Sequence, residues 1–307
     1  MSSKLSDPKF HDEDAARAWL EAERWPNGPV CPHCGATAEA ITKLEGKAHR
    51  AGVHHCRACR KQFTVTVGTL FERSHIPLHK WLTAMYLMTS SKKGISAHQL
   101  HRTLGITYKS AWFMAHRIRE AMRTDGLDPL GGDGKAVEAD ETYFGNKAEK
   151  TSEGTRGPAN KRAVLGLVER GGAVRTFHVE RADKATVAGI VRQNVSRETK
   201  LMTDESRLYI EVGAEFADHE TVCHSAEEYV RGEVHTNALE GYFSTFKRGM
   251  RGVYQHCAEK HLHRYLAEFD FRYNERGVSD MERTALAVRG IEGKRLTYRR
   301  TDAANHA

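Results

Sequence analysis

AVEADETYFG, residues 136–145, surrounds Asp140 and Glu141 with apolar and β-branched positions that are typical of a central strand. Side chains alternate between the two faces of a strand, so these two neighbouring acids point to opposite sides of a sheet. A carboxylate buried in such an apolar stretch is costly unless it has a partner. We therefore expect only one of the two acids to belong to a functional site, and we favour Asp140.

The elements that follow this strand supply another acid at a strand end, Asp204. A Gly-Gly turn joins the first two of these elements and predicts an antiparallel hairpin. The residue patterns predict strands over 163–172, 173–180, 200–206 and 220–224 and a helix over 184–195. The polar segment 147–162 is expected to be a surface loop.

Residues 235–250, HTNALEGYFSTFKRGM, have two unlike faces at helical spacing. An apolar stripe suited to burial consists of Leu239, Tyr242, Phe243, Phe246 and Met250. The other side carries a polar row of Asn237, Glu240, Ser244 and Lys247. The pattern predicts a helix that is anchored in a core by one face and presents polar side chains on the other.

Asp140, Asp204 and Glu240 are candidates for a shared metal site. For each acid taken alone, the alternative is a solvated surface charge. Carboxylates that converge on one point repel one another unless a cation joins them. Such oxygen ligands favour Mg²⁺, with Mn²⁺ as a substitute. Two ions about 4 Å apart would activate an attacking oxygen on one side of a phosphate and stabilise the leaving oxygen on the other.

Two Cys-x-x-Cys pairs, Cys31 with Cys34 and Cys56 with Cys59, are separated by 21 residues. Each pair can bind one side of a tetrahedral ion, and soft thiolate ligands favour Zn²⁺. A disulfide is the weaker alternative because thiols stay reduced in the cytoplasm. Four cysteines close the coordination shell, so this zinc is expected to be structural.

The region after the cysteines is predicted to turn from strand to helix. Residues 61–71, KQFTVTVGTLF, alternate in a way that predicts a strand, and a helix begins after Pro77. Ser96 and Thr107 can cap two further helices, with Gly105 in the turn between them. This order is typical of a helix-turn-helix. The alternative is a helix pair that only packs a linker domain.

The composition bounds the class of protein. A chain of 307 residues with 39% hydrophobic and 28% charged residues is expected to fold into two or more domains. It has no apolar run near the length of about 18 residues that a membrane span requires. The net charge is +7, and residues 241–300 hold 13 Lys or Arg against 7 Asp or Glu. A basic C-terminal part favours a polyanionic partner such as nucleic acid.

A family resemblance rests on motifs that occur in one order: RWPNGPVCPHCG, CRKQFTVTVGTLF, SHIPLHKWLTAMYLM, GISAHQLHRTLGITYKSAWFMAHRIREAM, VEADETYFGNK, HTNALEGYFSTFKRG and HLHRYLAEFDFRYNER. Over about residues 20–276 the chain resembles the zinc-ribbon insertion-sequence transposases of the ISXO type, relatives of the Merlin DNA transposons. The resemblance implies the ribonuclease H fold of DDE transposases. It also implies a two-metal enzyme that acts on DNA.

The resemblance also implies roles for single residues. Asp140 and Asp204 would be metal ligands. For the third ligand the helix offers Glu240 or Asn237, and we favour Glu240 because a carboxylate binds a hard cation better than an amide oxygen does. Lys247 would face a phosphate near the scissile bond, the alternative being an ordinary solvated lysine.

As a transposase, the protein would bind the terminal inverted repeats of its element, hydrolyse a phosphodiester at each end and join the freed 3′ hydroxyl to target DNA. The residues expected to contact DNA are Thr107, Tyr108, Lys109 and Ser110 at the start of the second helix, with Arg117 and Arg119 near phosphates. Joining two ends requires a homo-oligomer on DNA. The alternatives are a DNA-binding regulator with an inactive catalytic domain and a metal-dependent nuclease without strand transfer.

These expectations divide the chain into five parts. They are an N-terminal helix (1–29), a zinc ribbon (30–75), a helix-turn-helix region (76–128), an α/β ribonuclease H-like catalytic domain with a mixed sheet (129–280) and a basic C-terminal tail (281–307). The N-terminus has acidic residues and no apolar core, so we expect no signal peptide and no membrane partner. The expected location is the bacterial cytoplasm, at the nucleoid.

Overall fold

The computed structural model describes residues 4–124, 126–147, 160–222 and 236–296. The chain divides into two compact units. The first unit comprises the residues up to Arg123 and those from Val278 onward, and the second comprises Thr124–Gly277. Most of the predicted loop over 147–162 lies outside the described residues.

The first unit combines helices with a small antiparallel sheet of order β1-β2-β3. Its elements are α1 (Glu13–Arg24), β1 (Ile41–Lys43), β2 (His54–Cys56), β3 (Gln62–Phe63), α2 (Leu78–Ser90), α3 (Ala97–Leu104), α4 (Tyr108–Ala121) and, after the second unit, α9 (Asp280–Arg289). Ser96 and Thr107 cap α3 and α4 by accepting backbone N–H bonds at 3.1 and 3.2 Å. Gly105 takes the left-handed conformation between these two helices.

The predicted strand over residues 61–71 is wrong beyond β3. There the Val67 N–H donates to the Thr64 carbonyl at 3.0 Å, and the Thr69 hydroxyl donates to the Thr66 carbonyl at 2.7 Å. Such local bonds, made by threonine side chains and by turns, compete with the ladder of a sheet. After β3 the chain forms a series of turns, and the apolar side chains of Val65, Leu70 and Phe71 in these turns are buried.

The four cysteines lie on two turns of the same construction. In each turn, the N–H of the residue after the second cysteine donates to the carbonyl of the first: Gly35 to Cys31 at 2.9 Å and Arg60 to Cys56 at 2.8 Å. The four Sγ atoms lie within 4.8 Å of one another, and Cys31–Cys59 and Cys34–Cys56 are 3.7 Å apart. Zn–S bonds of about 2.3 Å in a tetrahedron place sulfurs about 3.8 Å apart, so this cluster fits Zn²⁺.

Part of the predicted C-terminal tail over 281–307 is folded. Helix α9 packs on α2, where the Thr284 and Thr89 hydroxyls are 2.9 Å apart. Ser279 and Glu282 form a reciprocal capping box at the start of α9. The segment 281–307 was predicted to be a tail because basic residues exceed acidic ones in it. It nevertheless contains most of helix α9, in which Ala287 and Val288 are buried.

The second unit contains a mixed sheet of order β6-β5-β4-β7-β8. Its elements are β4 (Ala136–Asn146), β5 (Lys161–Glu169), β6 (Val174–Val179), α5 (Lys184–Asn194), β7 (Lys200–Asp204), α6 (Ile210–Gly213), β8 (Asp218–Val222), α7 (Asn237–Gly249) and α8 (Leu262–Asn274). Strand β5 pairs antiparallel with both β4 and β6. Strand β7 pairs parallel with β4 on one side and with β8 on the other. The predicted hairpin is thus present, and β4 lies in the middle of the sheet.

Each face of this sheet is covered by its own core. The α5-side core includes Val137, Ala139, Leu165, Leu167, Val187, Val191, Leu201 and Tyr209. The α7-side core includes Phe144, Val164, Val168, Leu239, Phe243, Phe246, Leu266 and Phe269. The alternation of side chains along β4 and β5 assigns residues to these two cores, and the apolar stripe of α7 is buried as its spacing predicts.

The helices in the described parts of the chain are short, and α4 has 14 residues. None of those helices is both long and apolar enough to cross a bilayer.

Replacing Gly166 by alanine is expected to destabilise the second unit. Gly166 lies opposite Asp140 in the sheet, and a Cβ there would come within 2.7 Å of Leu239 and 2.8 Å of Phe243. Overpacking of this kind costs about 1–3 kcal/mol. Gly189, inside α5 with no atom within 4 Å of an added Cβ, is the matched control. Its alanine variant should gain about 0.5–1 kcal/mol. Urea unfolding measures both changes, and equal stabilities of the two variants would contradict the close approach of α7.

Replacing Cys34 by serine should abolish zinc binding. One of four thiolates is then missing from the cluster, whereas Cys257, outside it, is the control for loss of a thiol. Metal analysis of the purified proteins should give about one zinc per chain for wild type and for Cys257→Ser, and almost none for Cys34→Ser. Full zinc content in Cys34→Ser would show that the cluster is not the site.

Candidate functional site

Two of the predicted acids come from neighbouring parallel strands at the centre of the sheet. Register pairs join β4 and β7 at Ala136 with Lys200 and at Glu138 with Met202. Two residues further along both strands come Asp140 and Asp204, so the two acids lie at corresponding positions of adjacent strands. Asp204 ends β7, and its Oδ1 accepts the N–H of Ser206 at 3.0 Å in the turn that follows.

Helix α7 carries the third acid over the same face of the sheet. Its buried residues join Phe144 and Val164 of β4 and β5 in the α7-side core, and its first turn is bonded to β4 because the Leu239 N–H donates to Glu138 at 3.0 Å. Glu240 is exposed and follows Leu239 directly. The packing of the apolar stripe therefore brings the polar row of α7 toward Asp140.

The pKa of Asp140 reflects both its burial and its acidic neighbours. Burial and then the negative charges of Asp204, Glu141 and Glu240 together raise the pKa of Asp140 from the ordinary 3.8 to about 7. A carboxyl with this pKa gives up its proton readily when a cation arrives.

Glu141 belongs to the other side of the sheet, as the alternation predicts. Its Oε2 accepts the hydroxyl of Tyr209 at 2.8 Å, and Tyr209 is part of the α5-side core. Burial raises the pKa of Glu141, and the bond from Tyr209 lowers it in part. Asp140 therefore shares its face with α7, and Glu141 does not.

The acids are less tightly grouped than the cysteines. Among the described residues, the four cysteines form the group of His, Cys, Asp and Glu whose ligand atoms all lie within 4.8 Å. The carboxylates of Asp140, Asp204 and Glu240 thus interact through their charges from a wider spacing. Their oxygen donors and mutual repulsion fit a hard divalent cation, which would draw them together.

Asn237 and Lys247 lie on the same helix face as Glu240. Asn237 is the exposed first residue of α7. Lys247 is half-buried, and its pKa is lowered by burial and by the charges of Arg251 and Lys161, while Asp140 acts in the opposite direction. An ammonium group within electrostatic range of Asp140 is suited to a phosphate bound beside the acids.

One side chain that the sequence patterns did not single out is Glu138. It is fully buried on the same face of β4 as Asp140 and accepts bonds from Arg170 and Leu239. The signal was present in the stretch AVEADE, where Glu138 and Asp140 are two residues apart and so share a face.

Most of the predicted DNA-contacting residues at the start of α4 are exposed. Thr107, Tyr108 and Lys109 are exposed, while Ser110 is half-buried. Tyr108 is 44% exposed, and its ring stacks on that of His98 in α3 at 4.2 Å. The surface formed by these residues presents hydroxyl, aromatic and cationic groups together.

The structure contradicts the prediction that Arg117 and Arg119 lie near phosphates. Their exposures are 6% and 2%. Arg117 donates to the Glu72 carbonyl at 3.2 Å and stacks over the ring of Trp81. Arg117 thus faces the interior of the first unit, where its guanidinium group packs against aromatic rings.

Comparison with known protein families gives two matches along the chain. Residues 11–62 match the transposase zinc-ribbon domain, which contains all four cysteines. Residues 129–274 match the ISXO2-like transposase domain, which contains the acids and Lys247. The zinc-ribbon match and the geometry of the cluster together support Zn²⁺ as its ion.

A curated relative and a solved structure were also found. An uncharacterized protein in transposable element ISH50 of Halobacterium salinarum is 31% identical over 284 residues, covering 86% of this chain and 91% of that protein. A crystal structure of a pre-cleavage Mos1 transpososome aligns with 9% identity and a TM-score of 0.21, covering 65% of this chain and 78% of that one. The second likeness is too weak to carry an argument. On the two domain matches and the nearly full-length relative, the chain belongs to the family of ISXO2-like zinc-ribbon transposases.

Proposed function

We propose that this protein is the DNA transposase of an insertion sequence. It binds the terminal inverted repeats of its element and hydrolyses a phosphodiester at each end, which frees a 3′ hydroxyl. That hydroxyl attacks a phosphodiester of target DNA, so that a new P–O bond forms and the 3′ oxygen of the target strand leaves. The observation that carries the proposal is the placement of Asp140 and Asp204 at corresponding positions of adjacent parallel strands, with Glu240 on the helix that covers that face of the sheet. The family supports a transposase, and the acids supply the chemistry.

The sheet supports a ribonuclease H-like catalytic domain of the DDE type. An antiparallel hairpin lies on one side of β4 and two parallel strands lie on the other. Asp140 is on the central strand, Asp204 on its parallel neighbour and Glu240 on the helix that covers them. Three elements distant in sequence thus contribute one acid each.

Asp140 and Asp204 would hold Mg²⁺ or Mn²⁺, with Glu240 as the third ligand. When bound, the ions supply activation of the attacking oxygen and charge stabilisation of the leaving oxygen. We favour Glu240 over Asn237 because the charge of Glu240 acts on Asp140. Lys247 would bind a non-bridging phosphate oxygen and orient the DNA strand. Hydrolysis and strand transfer are both in-line displacements, so neither needs a covalent enzyme intermediate.

The α3–α4 pair is proposed to be a helix-turn-helix that reads the element ends. Thr107, Tyr108, Lys109 and Ser110 at the start of α4 would contact DNA, and His98 extends that surface through its stack with Tyr108. The N-terminal residues of a recognition helix are the ones that reach base edges in the major groove. The joining of two ends calls for a homo-oligomer on DNA.

Asp204→Ala should abolish cleavage of DNA that carries the element ends while leaving DNA binding intact. Loss of an outer-shell partner costs about 10–100-fold in activity, and loss of a ligand should cost more than about 100-fold. Nicking of a supercoiled plasmid with Mg²⁺ measures the first effect, and gel-shift titration measures the second. Glu205→Ala, which removes the neighbouring exposed acid, is the control.

Three results would redirect this proposal. Equal nicking by wild type and Asp204→Ala would indicate that the acids are not catalytic. Specific binding without nicking by either protein would indicate a DNA-binding regulator. Nicking without joining of the cut end to a second duplex would indicate a nuclease that lacks strand transfer.

Asp140→Asn should remove the part of the pH dependence of stability that comes from Asp140, and it should also remove the response of stability to metal. The pKa of Asp140 is about 7 in the fold against an ordinary 3.8, so its contribution to stability is complete below about pH 4 and is lost as the pH rises through 7. Without metal, the melting temperature of Asp140→Asn should therefore exceed that of wild type at pH 8, and the gap should close toward pH 4. Added Mn²⁺ should raise the melting temperature of wild type only.

Asp270 does not confound this comparison. Burial raises the pKa of Asp270 to about 7 as well, but the residue is present in both proteins and its effect cancels. Asp133→Asn, which neutralises an exposed acid of the same unit, is the control and should follow wild type. Parallel pH profiles and equal Mn²⁺ responses of wild type and Asp140→Asn would argue against a metal site at Asp140.

A further inference from the structure

We propose that Glu138 is a positioning residue for the metal ligands: its carboxylate joins the first turn of α7 to strand β4 and thereby sets Glu240 against Asp140. The proposal rests on the proposed function, because it assigns Glu138 a role in the same site. Glu138 would not touch metal or DNA. It would act by fixing the spacing between two elements that do.

The contacts of Glu138 use both carboxylate oxygens. Oε1 accepts the Nε–H of Arg170 at 3.0 Å, and Oε2 accepts the backbone N–H of Leu239 at 3.0 Å. The side chain is 0% exposed. Buried carboxylates of this kind are stable only when hydrogen-bonded and matched by a cation, and Arg170 supplies that charge. Two charge-assisted bonds therefore hold Glu138 in one position.

The bond to Leu239 caps helix α7 from another element. The N-cap residue, Thr236, makes no side-chain bond to the backbone of the helix. The first N–H groups of a helix have no partner within it, and a negative charge near them is favourable because of the helix dipole. Glu138 satisfies one of these groups from β4. The cap of α7 thus depends on the strand that carries Asp140.

The placement of Glu138 links two metal ligands directly. Along β4, Glu138 and Asp140 lie on one face about 6.6 Å apart. On α7, the bonded Leu239 is followed by Glu240. Arg170 is itself tied to β4, since its N–H donates to the Ala136 carbonyl at 3.0 Å. Glu138 is two residues from Asp140 along β4, and its hydrogen bond to Leu239 connects it to the residue before Glu240. A shorter side chain at position 138 should therefore shift Glu240 relative to Asp140.

The alternative is that Glu138 has only a structural role, which is to neutralise the charge of Arg170. Two variants separate that role from positioning. Glu138→Asp keeps the charge but is shorter by one methylene, about 1.5 Å, and cannot reach both partners. Glu138→Gln keeps the length and one carbonyl oxygen that can accept from Leu239, but it loses the charge. If Glu138 only neutralises Arg170, Glu138→Asp should keep more of the wild-type Mn²⁺ affinity than Glu138→Gln. If Glu138 positions the metal ligands, Glu138→Gln should keep more of it.

The experiment measures Mn²⁺ binding to the full chain without DNA, by electron paramagnetic resonance, and hydrogen exchange of the amides at the start of α7. Glu138→Asp should weaken Mn²⁺ binding by about 10–100-fold, the usual cost of losing a partner outside the metal shell. The amides around Leu239 should exchange faster in this variant. Glu138→Gln should bind Mn²⁺ almost as wild type does, and so should the control Glu198→Gln, which neutralises an exposed acid.

The outcomes separate this inference from the proposed function. Wild-type Mn²⁺ affinity and exchange in Glu138→Asp would overturn the positioning role, as would greater loss in Glu138→Gln than in Glu138→Asp. If Glu138→Asp does not fold, Glu138→Gln decides: retained Mn²⁺ binding supports the inference, and lost binding overturns it. A wild-type protein that binds Mn²⁺ but never cuts DNA would overturn the proposed function and leave the positioning of the acids standing.

Discussion

Carboxylates gathered on one face of a sheet repel one another, and the second unit is organised around holding them there. The force that opposes the repulsion is burial of the apolar stripe of α7 against β4 and β5. Gly166 permits the close approach, because a side chain at that position would collide with Leu239 and Phe243. The raised pKa of Asp140 is the cost of this arrangement in the metal-free protein. A divalent cation would turn the repulsion into a shared attraction.

Asp140 and Glu138 show how one strand serves two purposes on a single face. Asp140 is in electrostatic contact with the other acids, whereas Glu138, two residues earlier, is fully enclosed and bonded to Arg170 and to the backbone of α7. The chemistry of the two carboxylates is the same. Burial and hydrogen bonding separate their roles, because a carboxylate with both oxygens engaged has less capacity left for a cation.

The first unit differs from the second in the size of its sheet and in its cluster of cysteines. Its sheet is very small, and the four cysteines on two matched turns are placed to constrain it through a bound ion. Arg117 is buried in this unit, where it bonds to the Glu72 carbonyl and packs over the ring of Trp81. The exposed start of α4, with Tyr108 stacked on His98, is the part of this unit that offers polar and aromatic groups to a partner.

Most elements of the fold were predictable because their signals are local. Hydrophobic periodicity, the capping residues Ser96 and Thr107 and the Gly-Gly turn depend on a few neighbouring residues each. The strand predicted over 61–71 was wrong because threonine side chains compete for the backbone. Helix α9 was missed because most of it lies in a segment, 281–307, that was assigned by its excess of basic residues. The prediction that Arg117 lies near DNA phosphates was also wrong. A charged residue in a helix sequence does not show which side chains will surround it.

The sequence by itself determined the cysteine spacing, the strand that carries Asp140 and the two faces of α7, because spacing along a chain sets which side chains share a face. Only the tertiary structure decided that β7 runs parallel beside β4, that α7 lies on the face of Asp140, and that Glu138 bridges strand and helix. These relations join residues as many as 101 positions apart. They depend on how whole elements pack, and no local pattern encodes that choice.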